Sequence, residues 1–207
     1  MSNTSNDRYR IVGALGSPYS MKLRAIMRYR QLPHDWVLRT TANRAETANV
    51  KPNLVPMLRY PGESDYRVDS TPLAYDLEAR HPGQRSIIPD DPGHAFLSHL
   101  LEDMADEWLT KAMFHYRWYY DADIYYASHW IADDGYPETR GAERDTAAKM
   151  FADRQIGRMP IVGCTPENKP VIEDTFHRVL ALLESRVSVY DFLFGTRPSL
   201  GDFGIFG

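Results

Sequence analysis

The sequence predicts two domains, an α/β domain followed by an all-α domain. Strand and helix signals alternate at the start of the chain, a segment rich in proline and aspartate follows, and strand signals fade beyond it. We therefore expect an α/β domain over residues 8–84, a linker over 85–93 and a helical domain over 94–207.

The first predicted elements are a strand, a helix and a second strand. Residues 9–14 are rich in β-forming side chains and lead into a turn-prone Leu-Gly-Ser. A helix is predicted over 18–30, because Ser17 can cap it and Pro18 occupies the first helical position, where a missing N–H costs nothing. Residues 36–38 are typical of a second strand, parallel to the first across a right-handed crossover.

A hairpin and a second helix complete the predicted α/β domain. The short runs 57–60 and 66–68 flank Pro61-Gly62, which indicates two antiparallel strands. Asp69-Ser70-Thr71 then opens a helix that ends near Arg80. The order β-α-β, connector, β-β, α is that of a small thioredoxin-like domain.

Helical periodicity dominates the remainder of the chain. We predict a long helical stretch with one or more breaks over 94–133, a short helix over 145–157 and a helix over 171–187. Ser199 and Asp202 then have the spacing of a capping box, which predicts another helix from about residue 200.

Composition and charge exclude several classes of protein. A chain of 207 residues can bury a core, and its net charge of −4 argues against a nucleic-acid-binding protein. The single cysteine, Cys164, excludes an internal disulfide framework and suits a reducing cytosol. Residues 1–10 are polar, and no apolar run approaches the roughly 20 residues that span a bilayer. The histidines show no ligand spacing. We expect a cytoplasmic protein with no metal and no membrane contact.

Three short motifs of the first domain have groups suited to a ligand. Ser17 lies at a predicted helix N-terminus, where free N–H groups and the helix dipole favour an anion or a thiolate. Val55-Pro56 precedes a strand and can present the backbone polar groups of Val55. Asp69 offers a carboxylate to an ammonium group, while Ser70 at a helix start suits a carboxylate. Taken singly, each motif is better explained as a cap or a turn.

Together, in this order and spacing, the three motifs resemble the glutathione-binding domain of the glutathione transferases. Residues 195–203 resemble the capping-box segment in the helical domain of that family, so the resemblance covers nearly the whole chain. It implies the glutathione transferase fold, glutathione as co-substrate and a homodimer. In the family the helix after the capping box is longer and others follow it, so we expect the protein to extend beyond Gly207.

The resemblance also implies a role for each motif. Ser17 matches the serine that donates a hydrogen bond to the glutathione sulfur in the serine-type classes and holds it as thiolate. Val55 and Pro56 match the turn whose backbone pairs with the cysteinyl part of glutathione. Asp69 and Ser70 match the pair that holds the γ-glutamyl group.

Two departures from the family pattern bear on function. Cys164 matches no nucleophile position, which disfavours the cysteine-type classes, and the chain has no Cys-x-x-Cys of a disulfide oxidoreductase. Leu54 stands where the family often has a lysine, which leaves open whether Arg44 or Lys51 anchors the glycyl carboxylate. The first hypothesis is therefore a transferase acting on a small apolar electrophile. The alternative, favoured by Leu54, is a binding or regulatory protein without transferase activity.

A cluster of aromatic residues lies on the predicted long helix. On an ideal helix six of its nine members share one face and three the other, so the helix is buried all round, lines a pocket or contacts a partner. Because the family's helical domain holds the electrophile, Tyr116, Tyr119 and Tyr120 are candidate walls of the second-substrate pocket. Core and interface packing are the alternatives. The nine residues are Trp108, Phe114, Tyr116, Trp118, Tyr119, Tyr120, Tyr125, Tyr126 and Trp130.

Two charged segments are predicted to be surface features. The basic residues of the first helix, Lys22, Arg24, Arg28 and Arg30, are expected to form a solvated face. The acidic stretch 101–107 is expected to be a surface segment or to turn Asp103 and Asp106 toward the cleft between the domains.

Overall fold

A four-stranded mixed sheet is the base of the N-terminal part of the chain. The computed structural model describes residues 7–83 and 85–207. The strand order is β2-β1-β3-β4, with β2 parallel to β1 and the other neighbours antiparallel. The predicted crossover unit and hairpin are thereby confirmed. The strands are β1 (Tyr9–Gly13), β2 (His34–Leu38), β3 (Met57–Arg59) and β4 (Tyr66–Val68).

Two helices pack on this sheet, α1 (Pro18–Tyr29) and α2 (Ser70–Arg80). The core is closed by apolar side chains of the sheet and of both helices. Its fully buried members include Ile11, Leu23, Met27, Leu58 and Leu77.

A 3-10 helix, Thr41–Thr47, follows β2 where the sequence predicted only a connector. The side chain of Asn43 explains this turn. Its amide donates to the carbonyl of Leu38 at 2.7 Å, and its side-chain oxygen accepts from the N–H of Thr40 at 3.0 Å. Local side-chain bonds of this kind stabilise a short helix without the periodic apolar residues from which longer helices are predicted, so the sequence does not reveal it.

The remainder of the chain is helical, as predicted, apart from short turns and one isolated bridge. The proposed domain boundary at residue 84 falls outside the described residues. The helices are α3 (Pro92–Met104), α4 (Thr110–Trp118), α5 (Asp121–Gly135), α6 (Gly141–Ile156), α7 (Lys169–Val187) and α8 (Leu200–Phe206).

The helical stretch predicted over 94–133 with one or more breaks is present and has two interruptions. A π-helical turn, Ala105–Leu109, joins α3 to α4. A second break follows Trp118, where Tyr120 takes an extended conformation with φ −101° and ψ 136° before α5 begins. Acidic residues in the first turn of α5 favour a new helix N-terminus there. The aromatic faces drawn on one ideal helix therefore do not apply across the break.

The last helix connects the two parts of the molecule. The predicted capping box is present, since the Asp202 carboxylate accepts from the backbone N–H of Ser199 at 2.8 Å and from its hydroxyl at 2.7 Å. Leu200 and Phe203 of α8 pack with Ile26 of α1 in one buried cluster.

Replacing Gly204 with alanine is expected to destabilise the protein. A Cβ at this position would lie 3.0 Å from the Cα of Glu102 and 3.1 Å from its Cγ, so α8 would have to move away from α3. Overpacking of this kind costs about 1–3 kcal/mol, measured as the free energy of unfolding in urea. Gly135→Ala is the control, because nothing lies within 4 Å of its Cβ position. An equal loss in both variants would contradict the close-packing explanation.

Candidate functional site

The three predicted motifs meet at one edge of the sheet. Val12, near the end of β1, pairs with Met57 at the start of β3, and Met57 pairs with Val68 at the end of β4. The segments that follow β1, precede β3 and follow β4 therefore leave the sheet on the same side. They carry Ser17, Val55-Pro56 and Asp69-Ser70, respectively.

Ser17 is the N-cap of α1. Its Oγ accepts a hydrogen bond from the backbone N–H of Ser20 at 3.3 Å, and its backbone is extended, with φ −100° and ψ 117°. A hydroxyl used as an acceptor keeps its proton for donation. The half-buried Ser17 hydroxyl thus lies at the positive end of a 12-residue helix, where a donor and the helix dipole together favour an anion.

Hydrogen bonds of Asn53 anchor the segment that precedes β3. The Val55-Pro56 peptide bond is cis, and Pro56 is buried. Asn53 donates to the carbonyl of Thr47 at 2.8 Å and accepts from the guanidinium of Arg39. These bonds tie the segment to the end of β2 and the 3-10 helix.

Asp69 and Ser70 open α2 with an unusual backbone. Asp69 has φ +77°, a conformation that non-glycine residues seldom adopt and that costs of order 1–3 kcal/mol. Its carboxylate accepts from the N–H of Thr71 at 3.3 Å, as an N-cap does, yet the side chain remains exposed. Ser70 is 3% exposed. Backbone strain of this kind is concentrated at ligand sites, which makes this turn a candidate for one.

A buried lysine lies next to this turn, contrary to the prediction of a solvated basic face. Lys22 of α1 is fully buried, and its Nζ donates to Glu102 at 2.6 Å, to Thr71 at 3.2 Å and to Asp106. Arg30 at the end of the same helix is also buried, 2.8 Å from Glu78. Both cations have carboxylate partners far along the chain, which satisfies the requirement for burying a charge.

The π-helical turn brings part of the acidic stretch to the same place. Besides its bond to Lys22, Asp106 accepts at its backbone carbonyl from the hydroxyl of Tyr19 at 3.1 Å. Burial raises the pKa of the Asp106 carboxyl above its ordinary value even though Lys22 acts in the opposite direction. The segment is therefore an interdomain contact, and Asp106 turns toward α1 instead of solvent.

The helical domain also reaches the loop that carries Ser17. Arg117 of α4 donates from Nη1 to the carbonyl of Gly16 at 2.6 Å. A Cβ at Gly16 would lie 3.2 Å from Ile131 on α5, so the loop rests against this helix. Burial lowers the pKa of the Arg117 guanidinium. Arg117 and Ile131 were not sequence candidates, because nothing in their local pattern shows what they contact.

The predicted second-substrate tyrosines lie against α7. The hydroxyl of Tyr120 donates to Glu173 at 2.5 Å, the ring of Tyr116 lies 5.0 Å from that of Phe176, and Lys169 lies 4.7 Å from the ring of Tyr119. None of the bonds found in the described ranges joins them to the Ser17 edge. Their role as a pocket wall stays a prediction.

The possible anchors of a glycyl carboxylate differ in their surroundings. Leu54 is 64% exposed. Arg44 lies in the 3-10 helix with its guanidinium 5.9 Å from the ring of Tyr136. Burial lowers the pKa of the Arg39 guanidinium, and the charge of Arg44 lowers it further. Two cations therefore lie near each other at this edge. Lys51 is exposed.

The described residues give little support to a cysteine nucleophile or to a metal site. Cys164 is buried in the core of the helical domain, burial raises the pKa of its thiol, and its Sγ donates to the carbonyl of Lys111 at 3.4 Å. Over 7–83 and 85–207, no group of histidine, cysteine and acidic residues is arranged to hold a metal ion. Within the same ranges, no helix has both the length and the apolar character needed to cross a bilayer.

Comparison with known proteins gives the family of the first domain. Residues 11–85 match the family of glutathione S-transferase N-terminal domains. No curated protein sequence matches the chain.

Solved structures share the fold over almost the whole chain. A glutathione S-transferase from Methylobacterium radiotolerans in complex with glutathione sulfonate is 18% identical, with 95% of this chain and 75% of that chain covered and a TM-score of 0.55. A glutathione S-transferase from Rhodospirillum rubrum is 14% identical, with coverages of 95% and 74% and a TM-score of 0.58. A transferase homologue from Sulfitobacter with bound glutathione is 13% identical, with coverages of 96% and 79% and a TM-score of 0.56.

Proposed function

We propose, from the match of its N-terminal domain and from its fold, that this chain belongs to the glutathione transferase family and that it activates the thiol of glutathione for attack on a small electrophile. The observation that carries the proposal is the convergence of Ser17, Val55 and Asp69-Ser70 at one sheet edge, with an N-terminal helix end at two of the three. A tripeptide with a thiol and charged ends has a group that each of these three motifs can bind.

In this proposal each group has one task. Ser17 donates a hydrogen bond to the glutathione sulfur. Together with the N-terminus of α1, this bond stabilises the thiolate that forms when the thiol releases its proton to solvent. The backbone of Val55 pairs with the cysteinyl residue, while Asp69 and Ser70 hold the γ-glutamyl group. We assign the glycyl carboxylate to Arg44, the exposed cation next to Arg39 at this edge.

The reaction itself needs no group beyond these. The thiolate sulfur attacks an electrophilic carbon, a sulfur–carbon bond forms, and the leaving group departs with its electron pair. Because both reactants are held together, positioning adds to the effect of the lowered thiol pKa.

The proposal is tested by binding and turnover together. We expect the purified protein to be retained on immobilised glutathione and to conjugate chlorodinitrobenzene at least about tenfold above the uncatalysed rate. Turnover is followed by the absorbance of the conjugate, with heat-unfolded protein as the control. Loss of both properties would contradict the proposed function.

A binding or regulatory protein is the second candidate. The exposed Leu54 at the position of the expected lysine favours it, because a weaker carboxylate anchor leaves glutathione less firmly positioned. Retention on glutathione without turnover of a panel of electrophiles would favour this candidate over the transferase.

We also propose a cytoplasmic homodimer. Exposed apolar side chains on α2 and α3 support an interface, since an apolar patch on the surface marks a contact site. The free, buried Cys164 suits a reducing compartment. The mass in solution, measured by light scattering, tests the dimer. The exposed residues are Tyr75, Phe96, Leu97 and Leu100.

A further inference from the structure

Arg117 is a cation without a carboxylate partner in the described ranges, and it contacts the loop that carries Ser17. The buried cations Lys22 and Arg30 each lie within 2.8 Å of a carboxylate. By contrast, in the parts of the chain that the structure describes, no carboxylate lies within ion-pair distance of Arg117, and its one hydrogen bond is to the carbonyl of Gly16. A partly desolvated guanidinium with unused donors favours an anion from outside the chain.

We propose that Arg117 binds a carboxylate of the electrophilic co-substrate, so that the preferred electrophiles are acids with an apolar body. This inference rests on the proposed function and names the substrate class of the same site. Arg117 comes from the helical domain, yet it contacts the residue directly before Ser17. A group bound to it therefore lies next to the sulfur that Ser17 holds.

The chemistry of the guanidinium favours a carboxylate over the thiolate as its ligand. An arginine presents a planar fork of N–H donors, which matches two oxygens on one carbon better than a single sulfur atom. In the proposed function the sulfur is already stabilised by the Ser17 hydroxyl and by the N-terminus of α1. Ile131, which contacts the same loop, supplies apolar surface for the body of the electrophile.

The proposed step is a nucleophilic displacement in which one bond forms and one breaks. For a para-chloromethylbenzoate probe, the thiolate sulfur bonds to the benzylic carbon, the carbon–chlorine bond breaks, and chloride leaves with the electron pair. The carboxylate stays bound to Arg117 and does not change.

Binding of the conjugate tests the assignment without relying on turnover. The probes are S-(para-carboxybenzyl)glutathione and its methyl ester, measured by calorimetry. We expect the wild-type protein to bind the acid roughly 10- to 100-fold more tightly than the ester, as one charge-assisted contact provides. Arg117→Gln should abolish this preference, and Arg117→Lys should keep part of it. Thermal unfolding shows whether each variant retains its fold.

Arg178→Gln is the matched control. Arg178 is an arginine of the helical domain whose side chain is 76% exposed on α7, and its removal should leave the preference unchanged. If the wild-type protein binds acid and ester equally, or if Arg117→Gln weakens both to the same extent, the assignment is wrong.

Kinetics separates this inference from the proposed function. With para-chloromethylbenzoate and its methyl ester as substrates, Arg117→Gln should lower kcat/KM for the acid roughly 10- to 100-fold and leave that for the ester nearly unchanged. If the wild-type protein binds glutathione and prefers the acid conjugate but turns over neither substrate, the transferase proposal fails while the role of Arg117 stands. If the pKa of the bound thiol rises in Arg117→Gln and both substrates slow equally, Arg117 acts on the sulfur, and the carboxylate assignment fails.

Discussion

Lys22→Met is expected to destabilise the protein by about 3–5 kcal/mol, a large part of the stability of a domain. The substitution leaves the carboxylates of Glu102 and Asp106 without the cation that they share. Urea unfolding of wild-type and variant proteins measures the loss.

The loss should shrink as the pH falls. A carboxyl whose pKa is raised in the folded state binds protons more readily there than in the unfolded chain, so stability increases toward acid. Burial already raises the pKa of Asp106, and removal of Lys22 takes away the opposing charge. Between about pH 8 and pH 5, the difference between Lys22→Met and the wild type should therefore decrease.

Two further variants test the cause. Arg28→Met changes an exposed cation on the same helix and should cost less than about 1 kcal/mol, the value of a charge near a helix C-terminus. Adding Glu102→Gln and Asp106→Asn to Lys22→Met should restore much of the stability, because no unpaired buried charge is left. A loss in the triple variant as large as in Lys22→Met would show that packing, and not charge, is responsible.

Ser17→Ala is expected to lower kcat/KM for conjugation by about 100-fold or more, the usual effect of removing a donor from a developing or stabilised anion. The pKa of the bound glutathione thiol should rise, as measured by the ultraviolet absorbance of the thiolate. Ser17→Thr keeps the hydroxyl and should retain most of the activity.

The loss of a helix cap has to be separated from the loss of the site. Ser17→Ala also removes the bond from the N–H of Ser20, which costs about 1 kcal/mol of stability. Asp91→Ala removes an equivalent cap, the bond from the N–H of His94 at 2.8 Å in α3. It should reduce stability by a similar amount and leave kcat/KM unchanged. An unchanged rate and thiol pKa in Ser17→Ala would overturn the catalytic assignment.

The elements that local chemistry determines could be predicted from the sequence. The caps at Ser17, Asp69 and Ser199 each begin a helix, and the hairpin around Pro61-Gly62 is present. The break at Tyr120 could not be predicted in position, because the aromatic residues around it have no strong preference for either helix or turn.

The sequence predicts only that part of the candidate site which lies in the N-terminal domain. Ser17, Val55 and Asp69 belong to short motifs, and the strand register brings them to one edge. Arg117 and the burial of Lys22 depend on partners about 80 to 100 residues away, and a charged side chain on a helix looks the same in sequence whether it faces water or a carboxylate.

Four hydrogen bonds between the domains converge on residues 16–22, around the start of α1. Arg117 donates to the carbonyl of Gly16, and the backbone carbonyl of Asp106 accepts from the hydroxyl of Tyr19. Lys22 donates to Glu102 of α3 and to the Asp106 carboxylate of the π-helical turn. The thioredoxin-like half is therefore not an exchangeable module. A chimera that combines it with the helical half of a relative would need the π-helical turn, whose Asp106 contacts both Tyr19 and Lys22, to keep the start of α1 in place.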